Sequence, residues 1–228
     1  MSFPGNKKKA FTFSYDDGVE QDRRLVSIFN KYRLKCTFNL NSGIQSGASQ
    51  WERNGITVRR MNVAGLKELY QGHEIAIHSL THPRLEQQNI ETIQNEITQD
   101  RINLEDIFGY PIHGMAYPYG TYDDRVIQVL KENGIRYSRT VIETGDFKPQ
   151  SNLLELKATC HHNNKSLMKL AEEFVNADPA EPMTFYVWGH SYEFDFDNNW
   201  DMIENFCAFI SNRDDIFYGT NSEVLFSL

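Results

Sequence analysis

The stretch KKAFTFSYDDGVEQD, residues 8–22, sets the reading of the whole chain. Its first eight residues (8–15) form an apolar run of strand type, which ends in two adjacent acids, Asp16 and Asp17, and a glycine. Neighbouring residues on a strand point to opposite faces, so the two acids do not share one structural job. A turn with helix-capping acids is the plain alternative, because Asp before a helix is ordinary. Residues 21–32 then place Leu25, Val26, Ile28, Phe29 and Tyr32 at helical spacing.

The same strand-then-helix alternation runs to the end. Strands are expected at 35–41, 74–80, 113–119, 135–141, 153–159, 183–190 and 216–220, and helices at 62–73, 89–108, 123–134, 165–176 and 200–213. Residues 42–55 are polar and contain Gly, and read as a loop. Seven or eight such units imply right-handed βαβ crossovers and a parallel sheet. The α/β expectation is a distorted or incomplete (β/α) barrel, seven-stranded and TIM-like, with a doubly wound open sheet as the alternative. No repeat or linker divides the chain, so one domain over residues 1–228 is expected. In either architecture, chemistry belongs at the C-terminal ends of the strands.

Composition narrows the partners. A net charge of −8 disfavours nucleic acid or an anionic membrane as the main partner. Three scattered cysteines, Cys36, Cys160 and Cys207, make neither a disulfide framework nor a CxxC zinc site, and read as buried thiols. The N-terminal MSFPGNKKKAFTF has no apolar core of leader length, and nothing approaches a span of about 20 apolar residues. A cytoplasmic protein is expected, or an extracellular one if a leader has been removed. Oligomeric state is not legible.

Polar residues gather at the strand ends. Asp16 and Asp17 follow the first strand, Asn39 and Asn41 the second, His78, Ser79 and His82 the third, and Tyr117, Pro118 and Tyr119 the fourth. His161 and His162 follow the sixth strand and His190 ends the seventh, so five of the seven histidines fall at one end of the sheet. HSLTH, residues 78–82, sets two imidazoles at i and i+4, a spacing that lets both reach one cation. Two His and one Asp form a common catalytic ligand set for zinc or another divalent ion. One aspartate of the pair can bind the metal while the other takes a proton from water activated there.

These motifs resemble the polysaccharide deacetylases, the NodB-homology group also called carbohydrate esterase family 4. TFSYDDG (12–18) is similar to that family's first motif, HSLTHP (78–83) to its second, AYPYG (116–120) to its third and YVWGH (186–190) to its fifth. The resemblance runs in order over most of the chain. It implies a NodB-type barrel that removes N-acetyl, or O-acetyl, groups from a carbohydrate with a divalent metal ion, zinc foremost. Asp16 is then the general base, Asp17, His78 and His82 the metal ligands, and His190 the general acid. The backbone N–H of Tyr119 helps hold the oxyanion.

The chain departs from the family in places. The third-motif arginine that braces the base is replaced by Ala116, so another residue must orient Asp16. The fourth motif is best matched by GDF at 145–147, with Asp146 as the partner of His190. TCHHNN (159–164) has no slot in the pattern; His161 and His162 are expected to line the substrate cleft. Tyr117, Tyr119 and Tyr192 are expected to contact sugar, with Glu193 and Asp195 gripping hydroxyls. Trp188 faces the same side as His190 at strand spacing and is expected to wall the pocket. Two further functions stay open: a metal hydrolase acting on another C–N amide, such as a cyclic imide, and a non-catalytic sugar-binding relative.

Overall fold

The computed structural model describes residues 1–228. In chain order the elements are β1 (Lys9–Asp16), α1 (Asp22–Lys31), β2 (Cys36–Leu40), β3 (Gln50–Arg53), β4 (Ile56–Arg59), α2 (Leu66–Leu69), β5 (Glu74–Ile77), α3 (Ile90–Phe108) and β6 (Gly114–Ala116). They continue with α4 (Asp124–Glu132), β7 (Tyr137–Glu143), β8 (Leu156–Ala158), β9 (Cys160–His161), α5 (Leu167–Asn176), β10 (Met183–Gly189), α6 (Glu193–Phe196), α7 (Trp200–Ile210), β11 (Ile216–Tyr218) and α8 (Asn221–Leu225).

The central sheet is parallel and runs β8-β7-β6-β5-β2-β1-β10-β9, with β11 sharing the edge of β1. Its two ends are one continuous piece of chain. Leu156–Ala158 pairs with β7, and Cys160–His161, one residue later, pairs with β10. The backbone of Thr159 donates to Tyr186, and that of Gly145 to Thr159, so the sheet closes on itself. This is the distorted barrel the alternation predicts, and it excludes the open doubly wound sheet.

β1 explains how such a barrel is filled. All eight of its residues are buried. Phe11, Phe13 and Tyr15 face the helices, where Phe13 stacks on Phe29 of α1 at 4.4 Å and Phe11 meets Phe206 of α7 at 5.9 Å. The alternate residues Thr12, Ser14 and Asp16 face the lumen, and the lumen is polar. Thr12 Oγ1 donates to Asn221 Oδ1 at 2.9 Å, and Asn221 Nδ2 donates to the Tyr186 hydroxyl at 2.7 Å. Asn221 N also donates to Thr37 Oγ1 at 2.9 Å. Asn221 opens α8, which Thr220 and Glu223 cap reciprocally, so the C-terminal segment closes the bottom of the barrel.

Helix boundaries follow ordinary capping. Asn89 accepts from Thr92 N at the start of α3, and Gly109, at φ 82°, ends it. Asp123 caps α4 through Val126 N. Two expectations need correction. Residues 42–55 are not all loop, because Gln50–Arg53 and Ile56–Arg59 form an antiparallel hairpin. The helix expected at 62–73 shrinks to Leu66–Leu69, between left-handed Gly65 (φ 95°) and Gly72 (φ 88°). The three cysteines are buried and unpaired. No helix is long and apolar enough to cross a membrane.

Candidate active site

Asp16 and Asp17 fall on either side of the end of β1. Asp16 keeps strand geometry and points into the lumen, whereas Asp17 turns into the left-handed region at φ 84°. Ser79, His82 and Tyr119 share that backbone state at φ 65°, 63° and 58°. Non-glycine residues pay on the order of 1 kcal/mol or more for it, and such strain collects at functional sites. The HSLTH loop is held in this shape by acids of α3. His78 N and Ser42 N donate to Asp100, at 3.1 and 2.7 Å, and Thr81 donates to Glu96 through both N and Oγ1.

Asp17, His78 and His82 present ligand atoms that all lie within 4.8 Å of one another. His78 Nδ1 donates to the Ala116 carbonyl at 2.7 Å, which leaves Nε2 with its lone pair. That Nε2 lies 3.2 Å from His82 Nε2. Two nitrogens bound tetrahedrally at about 2.0–2.1 Å stand about 3.3 Å apart, so this pair fits a common cation. Burial, and for His82 also its neighbour His78, favours neutral rings, with His82 pushed down to about 4. Burial alone would raise the Asp17 carboxyl, but Arg60 and the facing imidazoles hold it well below the usual range. Arg60 Nη2 lies 3.0 Å from Asp17 Oδ1, and its Nη1 reaches Asn41 Oδ1 at 2.8 Å.

Asp16 has different company. Arg139 Nη2 bridges both its oxygens at 2.6 and 2.5 Å, and Asn39 Nδ2 donates to Oδ1 at 2.8 Å. Arg139 is 1% exposed, with its guanidinium carbon 4.4 Å from the Trp188 ring. Burial pushes the Asp16 carboxyl up, yet Arg139, His78 and His190 pull it below its ordinary value, so it is ionised. Arg139 is the residue that the missing third-motif arginine called for. It stands on β7 directly beside Ala116 on β6, in register. Parallel neighbours in register point to the same face, so the guanidinium enters the lumen from one strand over.

His190 follows β10, with Nε2 3.8 Å from Asp16 Oδ2 and Nδ1 3.4 Å from Glu193 Oε1. Burial would lower its pKa, but Glu193, then Asp16 and Asp17, raise it to about 9. Glu193 Oε2 also lies 3.1 Å from His161 Nε2 and 3.3 Å from His162 Nε2. Trp188 packs edge-on to His161 at 4.6 Å, Tyr192 lies 5.1 Å from His190, and Trp51 of the hairpin packs edge-on to Tyr192 at 5.5 Å. Tyr119 is half exposed, 4.7 Å from the His82 ring, with Arg84 over its other side at 4.2 Å.

Three expected site residues lie elsewhere. Asp146 does not face His190. The carbonyl of the next residue, Phe147, accepts from Thr184 N near the start of β10, and His190 is six residues, or about 20 Å, further along. Tyr117 is buried, stacks on Tyr122 at 4.6 Å and donates to the Leu154 carbonyl, so it is core. His162 is fully buried between Tyr15 and Phe194. A Cβ on Gly189 would sit 2.0 Å from its ring, so glycine is required there. Asp195 is also occupied, accepting from Gln21 and Trp200. Arg139, the single charge within the buried part of β7, was the signal that spacing alone did not single out.

Beneath the site, Asp22 is fully buried and accepts from Tyr70 Oη at 2.6 Å and from Ser191, the neighbour of His190. Burial pushes its carboxyl up to about 7. In the unfolded chain it titrates near 3.9, so the folded state holds the proton more tightly. Its contribution to stability is therefore full below about pH 4 and is lost as pH rises through 7. Asp22→Asn keeps an acceptor for Tyr70 and is expected to flatten this decline, narrowing the drop in Tm between pH 5 and 8 by several degrees. Parallel Tm curves for the two proteins would contradict it.

Residues 4–138 match the family model described as Polysaccharide deacetylase. The chain is 28% identical over 145 residues to the peptidoglycan-N-acetylglucosamine deacetylase PgdA of Listeria monocytogenes, a match covering 63% of this chain and 27% of that one. It spans 57% or less of the length of the curated relatives it matches. Among solved structures, a Mycobacterium smegmatis protein assigned to the polysaccharide deacetylases superposes with a TM-score of 0.69 at 18% identity, covering 99% of this chain and 91% of that one. BA3943 of Bacillus anthracis, a CE4-family pseudoenzyme, superposes at 0.60 with 15% identity, covering 96% and 66%. Identities this low carry the fold and nothing finer.

Proposed function

The chain belongs to the polysaccharide deacetylase family, and on that premise we propose that it is a divalent-metal-dependent hydrolase that removes N-acetyl groups from an amino-sugar oligomer or polymer. The observation that carries this reading is the division of labour within the Asp16–Asp17 pair. Asp17 meets two lone-pair imidazoles within 4.8 Å, while Asp16 is turned to Arg139 and His190.

Asp17, His78 and His82 would hold the ion, with zinc the best fit to two imidazoles and one carboxylate. The ion supplies polarisation of the acetyl carbonyl and of water. The chain's own residues do the rest. Asp16, ionised and fixed by Arg139 and Asn39, accepts the proton of the attacking water. His190, protonated below about pH 9, returns a proton to the nitrogen that leaves. The Tyr119 backbone N–H would face the oxyanion beside the ion. Trp188, Tyr192 and His161 gather around His190, where aromatic faces suit a sugar ring.

The test is acetate release from N-acetylglucosamine oligomers by zinc-loaded protein. Release is expected to stop after chelation, return with zinc, and decline at alkaline pH as His190 loses its proton. Ammonia or a ring-opened product without acetate would point to a different amide instead. Sugar binding without turnover under zinc, cobalt or manganese would overturn the hydrolase reading.

A further inference from the structure

We propose that Glu193, locked by His161, is the positioning residue of His190. The inference rests on the acid role of His190 argued above, but its main readout does not require turnover.

Asn163 N donates to His161 Nδ1 at 3.1 Å, so the proton of a neutral His161 sits on Nε2. That Nε2 lies 3.1 Å from Glu193 Oε2. Although His161, His190 and Glu193 lie close enough to resemble a cation site, an Nε2 that carries a proton has no lone pair for a metal. His190 N donates to the same carboxylate at 3.2 Å, and His190 Nδ1 lies 3.4 Å from the other oxygen. Glu193 is thus an anion fixed from two sides. Its Oε1 stands 3.4 Å from His190 Nδ1, on the ring edge opposite the Nε2 that lies 3.8 Å from Asp16 Oδ2. The short helix α6 begins at Glu193, three residues after His190, so the brace comes from the same turn as the acid.

Burial completes the arrangement. His162 lies under Glu193 with its Nε2 at 3.3 Å, and its Nδ1 meets the Tyr15 hydroxyl at 3.0 Å. The charged and titratable groups around His190 are Asp16 and Asp17 from the end of β1, His161 and His162 from β9 and the residue after it, Tyr192 from its own loop, and Glu193. Of these, only Glu193 and the Asp pair favour its charged form.

The experiment is an NMR titration of the protein labelled with nitrogen-15 in its histidine rings, free of metal and sugar. In Glu193→Gln the His190 titration is expected to move down by about one unit or more. His161→Gln, which keeps a donor near the Nε2 position, is expected to titrate close to the wild type, whereas His161→Leu should shift partway toward Glu193→Gln. With a substrate in hand, Glu193→Gln should lower kcat about 10- to 100-fold with KM nearly unchanged. A His190 titration unmoved in a folded Glu193→Gln protein overturns the proposal, as does a His161→Gln protein no better than His161→Leu. The predicted shifts in a protein that releases no acetate would leave the positioning intact and overturn the deacetylase reading alone.

Discussion

Asp16→Asn is expected to abolish acetate release, with kcat/KM falling about 10²- to 10⁴-fold, while the protein still binds one divalent ion. The separation of roles follows from geometry. Asp16 faces Arg139, Asn39 and His190 and belongs to no ligand cluster, whereas Asp17 shares its cluster with His78 and His82. Asparagine keeps the shape and an acceptor for Arg139 but cannot take a proton from water. Metal content by mass spectrometry, measured beside acetate release, separates base loss from ion loss. Asp17→Asn should instead lose the ion, and acetate release with it. An Asp16→Asn protein with more than a tenth of wild-type turnover would remove Asp16 from the role of base.

Arg139→Ala carries the second large effect. Both members of the Arg139–Asp16 pair are buried, at 1% and 3% exposure, and deleting one partner of such a pair typically costs about 3–5 kcal/mol because the other charge is stranded. Burial would then govern Asp16. Its pKa should climb, and the acidic limb of the rate profile should move to higher pH. The register of β6 and β7 supplies a control. Ala116 lies beside Arg139, so Ala116→Arg combined with Arg139→Ala returns a guanidinium to the lumen from the adjacent strand. The double variant is expected to recover part of both stability, by urea denaturation, and the pH limb. A single variant that unfolds like the wild type would refute the account of the pair.

The comparison of those two strands shows what was legible in the chain and what was not. Strand ends could be read, because apolar runs of period two stop at polar residues, and Asp16, Asp17, His78, His82 and His190 all converge. Lateral neighbours could not be read. Nothing in one-dimensional spacing tells that residue 139 stands beside residue 116, so the absent arginine was noted and its replacement missed. Asp146 failed for a related reason: the return from β7 to β8 carries it toward the far end of β10. The nearest carboxylate in sequence, Glu193, held the position instead. Tyr117 and His162 were misassigned because residues just past a strand end can turn into the packing layer as readily as into the cleft. The β3–β4 hairpin hid behind exposed polar residues, since only Val58 of its eight is buried.

The closure of the barrel floor by Asn221 has a consequence for the nascent chain. Thr12 and its partner Asn221 are 209 residues apart. At about 5–20 residues per second, the ribosome leaves the first strand waiting many seconds for that amide to emerge. Until then the hydroxyls of Thr12 and Tyr186 lack their Asn221 partner, and the wall of strands stands uncorked at its base. Translation halted before residue 220 should therefore yield a collapsed, protease-sensitive intermediate that holdase chaperones retain until Asn221 has emerged.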